Sequence, residues 1–129
     1  MKTPTVIEAV RLSEDYLDRH GVESPRLNAE HLLASLLGCS RLDLYLRFEE
    51  PLEQEVLGRY RTGLKKRATH YPLQYITGET EFYSLTFRVE EGVFIPRPET
   101  EILVEAVDRC LPLPPDARFI ELGSGTGVI

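Results

Sequence analysis

Apolar residues recur at helical spacing through the first 75 residues of the chain. The first stripe follows Thr5, whose spacing to Glu8 is that of a capping box, and Gly21 is placed to end the helix. A helix is therefore predicted between these signals. Its apolar positions are Val6, Ala9, Val10, Leu12, Tyr16 and Leu17.

Start and stop signals then repeat along the chain. Ser24-Pro25 predicts an N-cap and first-turn proline, and Gly38 predicts the end of that helix. The spacing of Ser40 and Asp43 predicts a short third helix, and Glu50-Pro51 is expected to open a fourth. Because helices this short are unstable alone, residues 1–75 are predicted to form a bundle of four to five helices, and the fold class is mainly α.

The spacing of apolar residues changes near residue 79. Phe82, Leu85, Phe87 and Val89 are typical of a strand, and the last three of them alternate. With a turn at Glu91-Gly92 and a return strand at residues 93–95, this region predicts a β-hairpin. Residues 76–97 are accordingly expected to link two domains. Residues 98–129 are the expected start of the second domain. Within them another amphipathic helix, which includes residues 102–110, is predicted.

A glycine-rich segment follows a short apolar stretch at the end of the sequence. Residues 118–122 predict a strand, which runs directly into Gly123-Ser124-Gly125-Thr126-Gly127. Glycines let ligand atoms approach the backbone closely, and such loops bind cofactors in doubly wound α/β folds. The acidic Glu121 just before them favours S-adenosylmethionine, whose ammonium group is a cation. A plain tight turn is the alternative.

A proline-rich segment precedes this loop. Pro96 and Pro98 restrict the backbone of residues 95–98, and acidic residues follow at the start of the predicted helix. Such a rigid segment is suited to forming one wall of a cosubstrate site. The alternative is a stiff linker with a helix cap.

Composition and charge exclude several classes of protein. Hydrophobic residues make up 42% and charged residues 28% of the 129 residues, which is typical of a globular domain. No apolar run is long enough for a membrane helix. The two cysteines and three histidines have no metal-ligand spacing, so no metal site is expected, and the thiols fit a reducing, cytoplasmic environment.

The net charge of −6 comes entirely from residues 76–129, since basic and acidic residues balance in residues 1–75. Nucleic acid is therefore not expected as a direct ligand. One local basic cluster is interpreted as the solvated face of a helix, with a contact to an acidic partner or RNA as the alternative. Its members are Arg59, Arg61, Lys65, Lys66 and Arg67.

Four motifs in order along the chain resemble the PrmC/HemK family of peptide chain release factor glutamine methyltransferases. These are Tyr71-Pro72-Leu73-Gln74-Tyr75-Ile76-Thr77-Gly78, Glu81-Phe82, Phe94-Ile95-Pro96-Arg97-Pro98-Glu99-Thr100-Glu101 and Glu121-Leu122-Gly123-Ser124-Gly125-Thr126-Gly127. The string from Ile95 to Glu101 is the most specific of them. The resemblance covers the whole chain and is weakest in the helical part.

The resemblance implies a helical domain that helps recognise the release factor, a hairpin, and a Rossmann-like methyltransferase domain. It implies methyl transfer from S-adenosylmethionine to the glutamine of the release factor's Gly-Gly-Gln motif. It further implies that Glu121, Gly123, Ser124, Gly125, Thr126 and Gly127 surround the cosubstrate. The segment that closes over the cosubstrate would comprise Arg97, Pro98, Glu99 and Thr100.

One family motif is absent. The sequence has no Asn-Pro-Pro-Tyr, and Leu113-Pro114-Pro115-Asp116 lacks both its amide and its aromatic residue. The chain is therefore expected to be an N-terminal fragment, without catalytic residues and inactive alone. Two other functions stay open: a non-catalytic helical adaptor that binds a protein, and a related methyltransferase that acts on a ribosomal protein or on DNA.

Overall fold

The computed structural model describes residues 3–110 and 112–129. The chain divides into two compact units, Met1–Thr77 and Gly78–Ile129. Within the described residues the protein is mainly helical, with one small antiparallel sheet, which confirms the predicted class in its broad outline. The assignment of residues 1–75, 76–97 and 98–129 to a recognition domain, a linker and a catalytic domain stays a prediction.

The first unit is a bundle of five helices, in agreement with the four to five expected. Helix α1 packs on α2 and α4, and α2 also contacts α3 and α5. The helices are α1 (Val6–Arg19), α2 (Pro25–Leu37), α3 (Arg41–Leu46), α4 (Gln54–Ala68) and α5 (Leu73–Thr77).

Local caps define the ends of several helices as expected. Thr5 and Glu8 form a reciprocal capping box, in which the Glu8 carboxylate accepts from the Thr5 amide at 2.8 Å. Ser40 and Asp43 form a second one, and the hydrogen bonds from Ser40 lower the pKa of the Asp43 carboxyl. Gly38 ends α2 with φ +62°, a left-handed conformation that favours glycine.

One of the next two predicted helix starts is confirmed and the other is wrong. Helix α2 begins at Pro25 with Ser24 as its N-cap residue, as expected, although Ser24 has φ 50° and its side chain makes no capping hydrogen bond. Helix α4 begins at Gln54 instead of at Glu50-Pro51. The reason is tertiary: the amide of Val6 donates to the Glu50 carbonyl at 2.9 Å, and Thr5 forms a bridge with Pro51. Backbone hydrogen bonds at Glu50 and Leu52 thereby hold these residues beside the start of α1, outside a helix.

The core of this unit lies where α1, α2 and α4 meet. Tyr60 of α4 is its largest fully buried side chain, and its hydroxyl donates to the Ala29 carbonyl of α2 at 3.0 Å. Burial raises the pKa of the Tyr60 hydroxyl, which is therefore a neutral donor at physiological pH. Leucines from all three helices and α3 complete the core, among them Leu17, Leu33, Leu44 and Leu57.

The second unit begins with the predicted hairpin, but the turn lies elsewhere. Strand β1 (Glu79–Phe82) pairs with β2 (Leu85–Arg88), so the turn is Tyr83-Ser84 and not Glu91-Gly92. Both turn residues have positive φ, 51° and 60°, as a two-residue turn that follows the strand twist requires. Residues 93–95 form no return strand. The alternation of residues 85–89 located the second strand only.

The remainder of this unit contains α6 (Thr100–Arg109), close to the predicted position. The strand predicted over residues 118–122 is not formed; these residues are irregular and exposed. A buried parallel strand needs neighbouring strands and covering helices. The described residues supply only the β1–β2 hairpin, so no Rossmann-like layer is present in this part of the chain.

Candidate cosubstrate loop and protein-binding surfaces

The glycine-rich loop has a backbone that only glycine adopts readily at three positions. Gly123, Gly125 and Gly127 have φ values of +69°, +52° and +72°. The Gly127 amide donates to the Ser124 carbonyl at 2.8 Å, which closes a tight turn. A Cβ atom at Gly123 or Gly127 would meet no atom within 4 Å, so this side of the loop is open. The glycines therefore serve conformation and access rather than internal packing.

The chemistry of this loop fits a ligand that carries a positive charge and hydrogen-bond acceptors. Residues 121–127 are all exposed, although the Gly127 amide is already hydrogen-bonded within the loop. Glu121 forms no ion pair with any described residue. A free carboxylate beside an open backbone can accept from an ammonium or hydroxyl group, while the amides donate to anionic oxygens.

The proline-rich segment forms a tight helical turn that opens α6. Ile95 and Pro96 are buried, whereas Arg97, Pro98 and Glu99 are exposed. The Thr100 amide donates to the Arg97 carbonyl at 3.0 Å, which begins this turn. Among the described residues, no hydrogen bond joins residues 97–100 to residues 121–127, so the structure does not connect the two segments of the expected cosubstrate site in this way.

Glu101 connects α6 with the hairpin. Its carboxylate accepts from the amide of Tyr83 in the hairpin turn at 2.7 Å. Since Tyr83 has positive φ, this charge-assisted hydrogen bond stabilises a turn conformation that is costly for a tyrosine. Glu101 therefore has a structural role that the sequence motif alone did not indicate.

The basic cluster on α4 is exposed at four of its five members, as expected for a solvated face. Arg67 is the exception. It is half-buried, its Nε donates to Asn28 Oδ1 at 2.6 Å, and its guanidinium also donates to the Tyr71 carbonyl. Desolvation lowers the pKa of the Arg67 guanidinium. Arg67 thus joins α4 to α2 and to the segment before α5, and it is not available to a partner.

A buried carboxylate was missed by sequence reasoning. Glu30 of α2 is only 2% exposed, and its Oε1 accepts from Arg26 Nε at 2.9 Å and from the Tyr45 hydroxyl at 3.0 Å. Arg41 lies 3.4 Å from Oε2. The spacing of Arg26 and Glu30 was the one available signal, because residues four apart share a helix face. The cluster holds α3 against α2.

Metal and membrane sites are not suggested by the part of the chain that is described. There, no group of three or more histidine, cysteine or acidic side chains is arranged to hold a metal ion. None of the helices found there is both long and apolar enough to span a bilayer.

The fold defines a class: a small helical module followed by a hairpin and by an exposed glycine-rich loop. Comparison with known families identifies the module. Residues 8–78, more than half of the chain, match the family of PrmC N-terminal domains. The chain belongs to this family, which confirms the resemblance found in the sequence.

Similar proteins extend the match beyond the helical module. A release factor glutamine methyltransferase from Rhodopirellula baltica is 38% identical over 129 residues, covering 97% of this chain and 44% of the relative. A protein of the same name from Geobacter sulfurreducens is 40% identical over 125 residues, covering 97% and 43%. One from Moorella thermoacetica is 44% identical over 109 residues, covering 84% and 38%. The chain spans less than half the length of these relatives.

Proposed function

We propose that a protein of the relatives' full length containing this chain transfers a methyl group from S-adenosylmethionine to a release factor. The acceptor is the side-chain nitrogen of the glutamine in the Gly-Gly-Gln motif. The observation that carries the proposal is the family match of residues 8–78, together with the names of relatives that align over nearly the whole chain. In this proposal residues 1–75 help recognise the release factor, and residues 98–129 begin the catalytic domain.

The glycine-rich loop is proposed to hold the cosubstrate. Glu121 and residues 123–127 supply an exposed carboxylate and an open backbone, which suit the ammonium and carboxylate of its methionine part. S-adenosylmethionine would supply an electrophilic methyl group on a positively charged sulfur. Residues 97–100 are proposed to close over the cosubstrate; support for this rests on the motif and on their rigid turn at the start of α6.

Catalysis itself is proposed to need residues outside this chain. An amide nitrogen is a weak nucleophile because its lone pair is delocalised, so the enzyme must hold it in line with the methyl group. The family's Asn-Pro-Pro-Tyr motif, which would do this, does not occur in the 129 residues. The chain alone is therefore expected to be inactive.

The substrate is tested by incubating the full-length protein with purified release factor and labelled S-adenosylmethionine. Mass spectrometry should find the methyl group on the glutamine of the Gly-Gly-Gln motif. Label absent from that glutamine contradicts the proposed substrate, and label on a ribosomal protein or on DNA favours the related methyltransferases. Methylation by the 129-residue chain above a no-protein control contradicts the proposed inactivity.

The cosubstrate site is tested separately with Glu121→Gln in the full-length protein. Loss of a charge-assisted hydrogen bond typically costs about 1.5–3 kcal/mol, so affinity for S-adenosylmethionine should fall about tenfold or more. Asp116→Asn is the matched control, because Asp116 is also an exposed acid just before the loop. Equal affinities of the two variants, measured by calorimetry, would exclude a role of Glu121 in binding.

A further inference from the structure

An apolar groove lies between α1 and α4 in the helical unit. Its volume is about 250 Å³. At its edge Leu12 of α1 is 67% exposed, although Ala9 and Val10 of the same helix are buried. The groove is lined by Pro4, Ala9, Leu12, Ser13, Tyr16, Leu57, Tyr60, Arg61, Leu64 and Lys65.

The size and floor of the groove favour a single apolar side chain as occupant. Sites for drug-sized molecules usually measure roughly 300–1,000 Å³, so this groove is small for a cofactor. Two of the hydroxyl groups that line it, those of Ser13 and Tyr60, already donate hydrogen bonds within the protein. Ser13 donates to the Ala9 carbonyl at 2.7 Å, and Tyr60 donates to the Ala29 carbonyl at 3.0 Å. Burial of an apolar group here would displace water without leaving these donors unpaired.

The charge at the edge of the groove indicates which kind of chain carries that side chain. Arg61 and Lys65 are exposed, lie four residues apart on α4 and form no ion pair with a described acid. Lys65 is in the last turn of α4, where the helix dipole favours a cation. Arg61 lies before that turn, so the dipole does not account for it. Two unpaired cations beside an apolar groove are complementary to an acidic, amphipathic protein segment.

We propose that this α1–α4 groove docks an acidic segment of the protein substrate, which inserts one apolar side chain beside Leu12 and pairs its carboxylates with Arg61 and Lys65. The identity of that substrate as a release factor rests on the proposed function. A protein segment is favoured over RNA because the groove's floor is apolar and the chain carries a net charge of −6.

The test measures binding of the purified 129-residue chain to purified release factor by calorimetry. Arg61→Glu removes one cation and places an acid four residues before Lys65, a pair that supports the helix. Arg59→Glu is the matched control: Arg59 is exposed on the same helix but lines a different, more polar groove. It places an acid four residues after Glu55, so any loss of helix stability should be larger in the control.

A second pair of variants tests the apolar contact. Leu12→Ser removes the exposed side chain at the groove, and Leu42→Ser does the same at a leucine of α3 that is 75% exposed. Because both leucines face solvent, both variants should fold. Hydrogen exchange on the release factor then locates the segment that the chain protects, which must contain acidic residues around an apolar one.

The groove is supported if Arg61→Glu weakens binding about tenfold and Leu12→Ser about fivefold or more, while both controls bind as the wild type does. The loss from Arg61→Glu should shrink at high salt. The docking proposal is overturned if test and control variants weaken binding equally, or if the wild-type chain does not bind the release factor. Methylation of the release factor by the wild-type full-length protein does not depend on whether the groove is supported or overturned. It therefore separates failure of the groove from failure of the proposed function. RNA that competes for the groove, or self-association abolished by Arg61→Glu, also overturns the docking proposal.

Discussion

Two glycines of helix α4 provide a sharp test of how closely the helical unit is packed. A Cβ atom added at Gly63 would lie 2.9 Å and 3.1 Å from the two Cδ atoms of Leu32 and 3.3 Å from Ile76 Cγ2. A Cβ atom added at Gly58 would meet no atom within 4 Å. We therefore expect Gly58→Ala to stabilise the unit and Gly63→Ala to destabilise it, although both change the same residue type on the same helix.

The magnitude follows from two opposing effects. Replacing glycine by alanine inside a helix stabilises it by up to about 1 kcal/mol, and this gain applies at both positions. At Gly63 it is opposed by crowding, which typically costs about 1–3 kcal/mol in a packed interior. Leu32 is only 2% exposed, so its methyl groups cannot move into solvent. Gly63→Ala should therefore be about 1 kcal/mol less stable than the wild type and about 2 kcal/mol less stable than Gly58→Ala.

Urea unfolding followed by far-ultraviolet circular dichroism measures this difference. For a domain of this size about 2 kcal/mol also separates the two melting temperatures by roughly 10 °C. Shortening the opposing side chain in the double variant Gly63→Ala/Leu32→Val should recover part of the loss, so the two changes should not add. Equal stabilisation by Gly58→Ala and Gly63→Ala would refute the packing of α4 against α2 and α5 described above.

Three further predictions concern the buried acid, a cap and the glycine-rich loop. Glu30→Ala should destabilise the chain by about 1–2 kcal/mol in urea unfolding, because it removes the buried carboxylate that joins α3 to α2, while its half-exposed arginine and tyrosine partners regain hydrogen bonds to water. The folded-state pKa of Asp43 is lowered, so its stabilising contribution is present above its unfolded pKa and is lost as pH falls. Asp43→Asn should thus melt below the wild type at neutral pH and converge with it at acidic pH; a constant difference would contradict this. Amides of residues 118–127 should exchange much faster than those of the buried leucines in α2 and α4, and equal protection would contradict the irregular structure.

The parts of the fold that the sequence predicted well depend on neighbouring residues. The capping boxes at Thr5 and Ser40 and the glycine stops need only contacts three or four residues away, so their signals are complete within a short window. The helix start predicted at Glu50-Pro51 failed because hydrogen bonds and a bridge to the distant residues Thr5 and Val6 hold these two residues outside a helix. The hairpin turn failed because Tyr83-Ser84 contains no glycine or asparagine, the residues that usually mark such turns.

The candidate sites divide in the same way. The glycine loop could be read directly, since its positive φ values are a property of the glycines themselves. The α1–α4 groove could not, because the sequence analysis placed Leu12 in the apolar stripe of α1, whereas Leu12 lies off the buried face of that helix and is exposed. Glu30 was equally hidden, since two of the groups that bind it, Arg41 and Tyr45, come from another helix.

The second unit exposes apolar surface in a pattern that has a physical explanation. Ile120 and Leu122, in the segment expected to be a strand, are 86% and 90% exposed, and α6 exposes Ile102 and Leu103. A strand-like apolar segment and an amphipathic helix are the two layers of an α/β domain, and each needs further strands and helices to bury its apolar side. The relatives are more than twice as long as their aligned parts. This exposed surface therefore supports the proposal that residues 98–129 belong to a larger catalytic domain, in which residues 118–122 would pair as a strand and present the glycine loop at its end.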